Sequence, residues 1–263
     1  MDQNLISQLF HQLSSTSKQQ FFTKLSAIPV TKSDGLEHIV IPISSEIISI
    51  LAIIMISALL IITGLKKQPG LGILGAVLII ILLLWARGDS LFQIGFSPPK
   101  NWFSTILIGL GLGIIIQLLS VILIELLSEK ITHTPHDHSL INAVKGNWKV
   151  FLQWMILVWV LVALIEEGIY RGYLMTDLIN LLGVGMAALT INLLFSSVVF
   201  GLSHAYQGPS GMLSTGFVGV ILGVIFILSD FNLWLAIFTH GFIDTVGIGL
   251  IAIGFDEKLK IHF

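Results

Sequence analysis

Cysteine is missing from all 263 residues. That excludes disulfides, thiolate metal sites and a cysteine nucleophile. Charge is nearly as scarce: Asp, Glu, Lys and Arg make up 11% of the chain, against roughly 25% in a soluble domain. The net charge is −2 and no basic tract exists, so nucleic acid is not an expected partner. Residues 1–34 lack a basic flank followed by a short apolar core, and do not read as a secretory signal. Two hydrolase signatures are missing as well. Without His-Glu-x-x-His, the site-2 type of zinc protease is disfavoured. Without Gly-x-Gly-Asp, presenilin-like aspartyl chemistry is disfavoured too.

Apolar side chains dominate what remains. They form 55% of the chain, and the mean hydropathy is +0.95. Runs of about 18 or more mostly apolar residues mark membrane-spanning helices. We read seven, at about residues 46–65, 71–86, 103–127, 148–165, 184–206, 212–228 and 233–253. An eighth results if part of residues 1–45 enters the bilayer. The expected fold class is an all-α polytopic transmembrane bundle of about seven to eight spans. Residues 1–45 form a polar amphipathic segment, 46–253 the bundle, and 254–263 a polar tail. Leu5, Ile6, Leu9, Phe10 and Leu13 recur at helical spacing, which suits a helix lying on a membrane surface. Lys and Arg divide almost evenly between the two sides, so the positive-inside rule gives no orientation. The expected location is the cell membrane, with several passes; oligomeric state is not legible.

Ionisable residues inside such helices cost roughly 2.5–3.5 kcal/mol each on insertion scales, and are functional candidates for that reason. Three groups qualify. In Leu164–Leu174, "LIEEGIYRGYL", Glu167 and Arg171 are four apart and share a helix face, with the acid preceding the base. Glu166 points about 100° away and lacks that partner. The doublet thus divides into two environments, a pattern found in acid–base sites, although an ion pair at a wet helix end has the same spacing. In "FGLSHAYQGPSG", His204 closes an apolar helix before a Gly-Pro turn, where a hydrogen-bonded structural histidine is the plainer reading. The glycines there suit a turn or a re-entrant loop. In "FTHGFIDTVG", His240 and Asp244 share a face. Asp244 either fixes the tautomer of His240 or faces a polar cavity beside it. Acid, base and histidine groups on three helices are expected to converge.

Weaker features remain. The stretch "HTPHDH", His133 to His138, has donors enough for a stray metal, but without fixed spacing it reads as a solvated loop. Glu125 pairs with a lysine or snorkels, and Gln117 is a candidate interhelical donor.

Hydrolysis of an amide needs a base for water, a donor for the oxyanion and an acid for the leaving amine. Glutamate and histidine supply the base and the acid without a metal, so no cofactor is expected. A zinc ion on Glu166, His204 and His240 is the minor alternative. Gly201-Leu202-Ser203 faintly suggests a rhomboid serine site, yet His204 stands where a glycine is expected.

Glu166-Glu167-x-x-x-Arg171, Phe200-x-x-x-His204 and His240-x-x-x-Asp244, in that order and each on an apolar helix, resemble the CPBP family. These are the type II CAAX prenyl endopeptidases and bacteriocin-processing enzymes, also called Abi proteins. The likeness covers about residues 148–250. It implies a glutamate-dependent intramembrane endopeptidase acting on a peptide or membrane-protein substrate within the lipid bilayer. By the resemblance, Glu166 is the base with His204, His240 and Asp244 take oxyanion-side positions, and Glu167 with Arg171 brace the helix. The prenyl-protein branch typically has Asn where this chain has Asp244. An ionised aspartate cannot donate a hydrogen bond, which makes CAAX processing less secure than leader-peptide or bacteriocin processing. From other classes, a non-catalytic scaffold or immunity protein on the same fold, and a proton-relaying transporter, are the alternatives.

Overall fold

The computed structural model describes residues 45–255. The amphipathic reading of residues 1–34 and most of the polar tail lie outside them. Among the described residues, seven helices are long and apolar enough to cross a membrane: α1 (Ser45–Leu65), α2 (Pro69–Arg87), α3 (Trp102–Thr132), α4 (Trp148–Leu182), α5 (Met186–Ser203), α6 (Gly208–Leu228) and α7 (Leu233–Ala252). The described part is an all-helical, polytopic bundle.

Asparagine starts three of these helices. Asn101, Asn147 and Asn232 each accept a backbone N–H of the first turn through the side-chain oxygen, at 3.0, 3.2 and 3.1 Å. Each thereby satisfies one of the donors that a helix start leaves open. Pro69 and Pro209 sit in the first turns of α2 and α6, where a missing N–H costs nothing. Gly88 ends α2 at φ 70°, the left-handed cap conformation.

Lipid tails are as apolar as leucine, so helices in a bilayer associate through close packing of small residues. Gly109 and Gly113 on α3 press against α7: a methyl at either would lie 2.6 Å from Phe238 Cβ or 2.5 Å from Phe242 Cβ. Gly111, between them, faces open space. Gly64 on α1 is tighter still, its missing Cβ falling 2.1 Å from the Ser203 carbonyl oxygen on α5. Outward faces are apolar, with Leu74, Leu78 and Leu82 on α2 all exposed. The described core surrounds the second half of α4, where Tyr170, Tyr173 and Leu174 pack with Ile56, Leu60 and Ile80 of α1 and α2. One polar tie joins the same three helices: Arg87 donates to both carboxylate oxygens of Asp177, at 3.0 and 3.1 Å, and to Ser49 Oγ at 3.0 Å.

Two details depart from expectation. α3 does not stop near Leu127 but runs to Thr132, so Glu125 and Glu129 are helical. α4 continues through "LIEEGIYRGYL" to Leu182, which puts the charged motif inside a long helix rather than at its end. Of the two readings of the Gly208-Pro209 stretch, a turn or a re-entrant loop, the structure has the turn. After a short 3₁₀ turn, Ala205–Gln207, Gly208 turns the chain at φ 78° and α6 begins at once.

Candidate active site

The motif helix is not regular. Between Trp148–Leu157 and Thr176–Leu182, α4 is π-helical over Val158–Glu166 and again over Gly168–Met175. The i→i+5 bonding of π-turns winds the chain more widely, and such segments recur at functional sites. Glu166 and Glu167 occupy the junction of the two runs, and both are buried.

Glu167 is fully enclosed and its Oε1 accepts twice. Arg171 Nη1 donates to it at 2.6 Å and His240 Nδ1 at 2.8 Å. The i,i+4 pairing with Arg171 is the one the spacing predicts. Arg171 is buried too, donates Nη2 to the Gly219 carbonyl of α6 at 2.9 Å, and rests over the Phe200 ring with its guanidinium carbon 4.6 Å from the centroid. One carboxylate and one guanidinium therefore join α4, α5, α6 and α7.

His204 ends α5 with its Nδ1 2.8 Å from the Phe200 carbonyl oxygen. A carbonyl only accepts, so Nδ1 carries the proton and Nε2 of the neutral ring is left as an acceptor. That Nε2 faces Glu166, 3.9 Å from its Oε2, which is too long for a direct hydrogen bond and short enough for one water to reach both. Ser203 backs the arrangement: Tyr170 Oη donates to Ser203 Oγ at 2.7 Å, and Ser203 Oγ donates to the Phe200 carbonyl at 2.7 Å.

His240 Nε2 points the other way, 3.7 Å from Asp244 Oδ2. Of the two roles open to Asp244, the structure has it beside His240 on a cavity wall, while Glu167 takes the Nδ1 position that orients the ring. His204, His240 and Asp244 all line a cavity of about 580 Å³, and Glu166 reaches His204 from behind that wall. Apolar side chains such as Trp154, Val158 and Ile243 edge part of the cavity, and polar ones line the rest. Gln117 lines it as well, packed over Gly247. The six motif residues thus converge from α4, α5 and α7.

Tyr206 is a lining residue that sequence reasoning passed over. Its ring lies 5.5 Å from that of His204, and its only signal was its place in "HAYQ". The loop after α3 is the larger surprise. Its His133 and Pro135 are exposed, as a solvated loop requires, but it also contributes the partly buried His136, Asp137 and His138 to the same cavity.

Comparison with known proteins bears on the same helices. A model of the type II CAAX prenyl endopeptidase Rce1-like family matches residues 148–246. Over those 99 of its 263 residues the chain resembles that family. No curated protein matches the chain, and no solved structure matches it. The Rce1-like region runs from the start of α4 into α7, and so takes in Glu166, Glu167, Arg171, His204, His240 and Asp244. The family so described is one of proteases, and the likeness to it is confined to this stretch.

Proposed function

We propose that this chain is an intramembrane endopeptidase that hydrolyses a peptide bond with a water activated by Glu166 and His204. The observation that carries the reading is the 3.9 Å between Glu166 Oε2 and His204 Nε2, at a cavity wall where Nδ1 of the same ring is already committed. Water attacks the carbonyl carbon and gives its proton to Glu166. The C=O electron pair moves to oxygen, and the oxyanion takes a hydrogen bond from Nε2–H of His240. Collapse of the tetrahedral intermediate breaks the C–N bond, and Glu166 returns the proton to the leaving nitrogen. His240 in this role is doubly protonated. Glu167 on Nδ1 supplies the compensating charge, and Asp244 lies near Nε2. Glu167 and Arg171 are positioning residues, and Asp244 tunes His240.

The apolar edges of the cavity suit a peptide with hydrophobic side chains. The likeness to the Rce1-like family supports a CAAX-type substrate, whereas Asp244 in place of Asn favours leader-peptide or bacteriocin processing. The test is cleavage by purified protein: Glu166→Gln and His204→Ala should each abolish it while the protein stays folded. Full activity in both variants would sink the assignment. No cleavage by the parent protein, with the biological output unchanged in both variants, would favour a non-catalytic scaffold.

A further inference from the structure

The loop that closes over the cavity rim brings together a second group of ligand-type side chains. Glu125 stands on α3, and His136 and His138 lie in the loop that follows it. One oxygen of the glutamate and one nitrogen of each imidazole lie within 4.8 Å of one another. The two rings are stacked at 4.3 Å and 7°, and His138 Nε2 is 4.0 Å from Glu125 Oε2. All three side chains are partly buried and line the cavity.

The backbone that holds them is fixed from several sides. The His136 N–H donates to Glu129 Oε1 at 2.9 Å, one helical turn beyond Glu125. The Asp137 N–H donates to the Gln207 carbonyl at 3.0 Å, at the turn between α5 and α6. The Asp137 side chain is used differently: it accepts from the Ser139 N–H at 2.9 Å, which holds its carboxyl below the usual range, and it lies 3.9 Å from Lys67 Nζ. Glu129 and Asp137 are thus spent on the loop itself, and Glu125, His136 and His138 are the set that converges.

We propose that Glu125, His136 and His138 bind a divalent transition metal of the zinc class at the rim of the cavity. Two imidazoles and one carboxylate are a donor set that suits zinc and its neighbours, and three protein ligands leave a fourth position for solvent. Ligand atoms around a tetrahedral ion lie about 3.4 Å apart, given metal–nitrogen bonds of about 2.1 Å. Reaching that value from within 4.8 Å would take side-chain rotation. Stacked rings hold their nitrogen lone pairs in parallel planes, so binding one ion would require one ring to turn about its Cβ–Cγ bond. The ion would clamp the loop to α3 and so fix one lip of the cavity. The site is separate from Glu166, His204 and His240, and does not depend on what the cavity does.

The experiment is a Co²⁺ titration of the tag-free, full-length protein in detergent, followed by visible absorption and then by displacement with Zn²⁺. The expected result is one Co²⁺ per chain with the intense bands of a four-coordinate ion. His136→Ala/His138→Ala should weaken binding more than about tenfold, since losing a ligand costs at least what losing a ligand's hydrogen-bond partner does. Glu125→Gln, which removes no bulk, should weaken it as well, and Glu166→Gln/His204→Ala should leave it unchanged. Elution volume and melting temperature of each variant guard against misfolding. No saturable binding by the parent protein overturns the proposal. Retained binding in His136→Ala/His138→Ala overturns it too, as does loss confined to Glu166→Gln/His204→Ala.

Discussion

His240 donates from Nδ1 to Oε1 of Glu167 across 2.8 Å, a contact between residues 73 positions apart. Because the same oxygen also receives Arg171, removing the charge of Glu167 strands a buried guanidinium. Breaking one partner of a buried pair costs about 3–5 kcal/mol. Glu167→Gln is therefore expected to destabilise the folded protein by about 3 kcal/mol, measured by unfolding in mixed micelles. Glu166→Gln removes a carboxylate whose Oε2 has no hydrogen-bond partner, and should leave stability nearly unchanged. Equal losses in the two variants would contradict the division of the doublet.

Asp244 gives a test of the oxyanion side. Asparagine at this position keeps the shape and gains an N–H donor, so Asp244→Asn should retain cleavage. Asp244→Ala loses the polar group beside His240 Nε2, and kcat should fall by about 10²-fold. A dead Asp244→Asn variant with normal elution and melting would require the aspartate charge itself.

Helix packing can be probed on a single helix. Gly113→Ala drives a methyl into Phe242 of α7, and overpacking of this kind costs about 1–3 kcal/mol. Gly111→Ala, two residues away and facing open space, should be neutral or stabilising by up to about 1 kcal/mol through helix propensity. Thermal unfolding of the two variants side by side reads the difference.

Arg87, partly exposed, and the buried Asp177 form a second tie. Arg87→Ala leaves the Asp177 carboxylate enclosed between α1 and α4 without its bidentate partner, at a cost of about 3 kcal/mol. Adding Asp177→Asn should recover part of that loss. A double-mutant cycle in detergent measures the coupling, and a coupling near zero would mean that water substitutes for the arginine.

The spans were legible because apolar length and sparse charge need no tertiary knowledge. The i,i+4 contact of Glu167 with Arg171 was legible for the same reason, since it is made within one helix. The partner of His240 was not. Local spacing offered Asp244, whereas the ring is held by Glu167 from another helix, and no pattern along the chain encodes that meeting. The loop at His133–His138 failed differently. Its donors were visible in the letters, but its placement depends on α3 continuing past Leu127, so that Glu129 can accept the His136 N–H.

The π-helical stretch before Glu166 gives the motif a dependence on chain length that its letters do not display. Deleting one residue between Val158 and Leu164 would leave "EEGIYR" intact and favour ordinary α winding. The pair would then be turned by about 100° relative to the half of the helix that precedes it. A sequence can therefore carry every motif residue and still aim the doublet away from His204 and His240. Registration of α4, as much as the identity of its acids, decides whether a chain of this kind has a working centre.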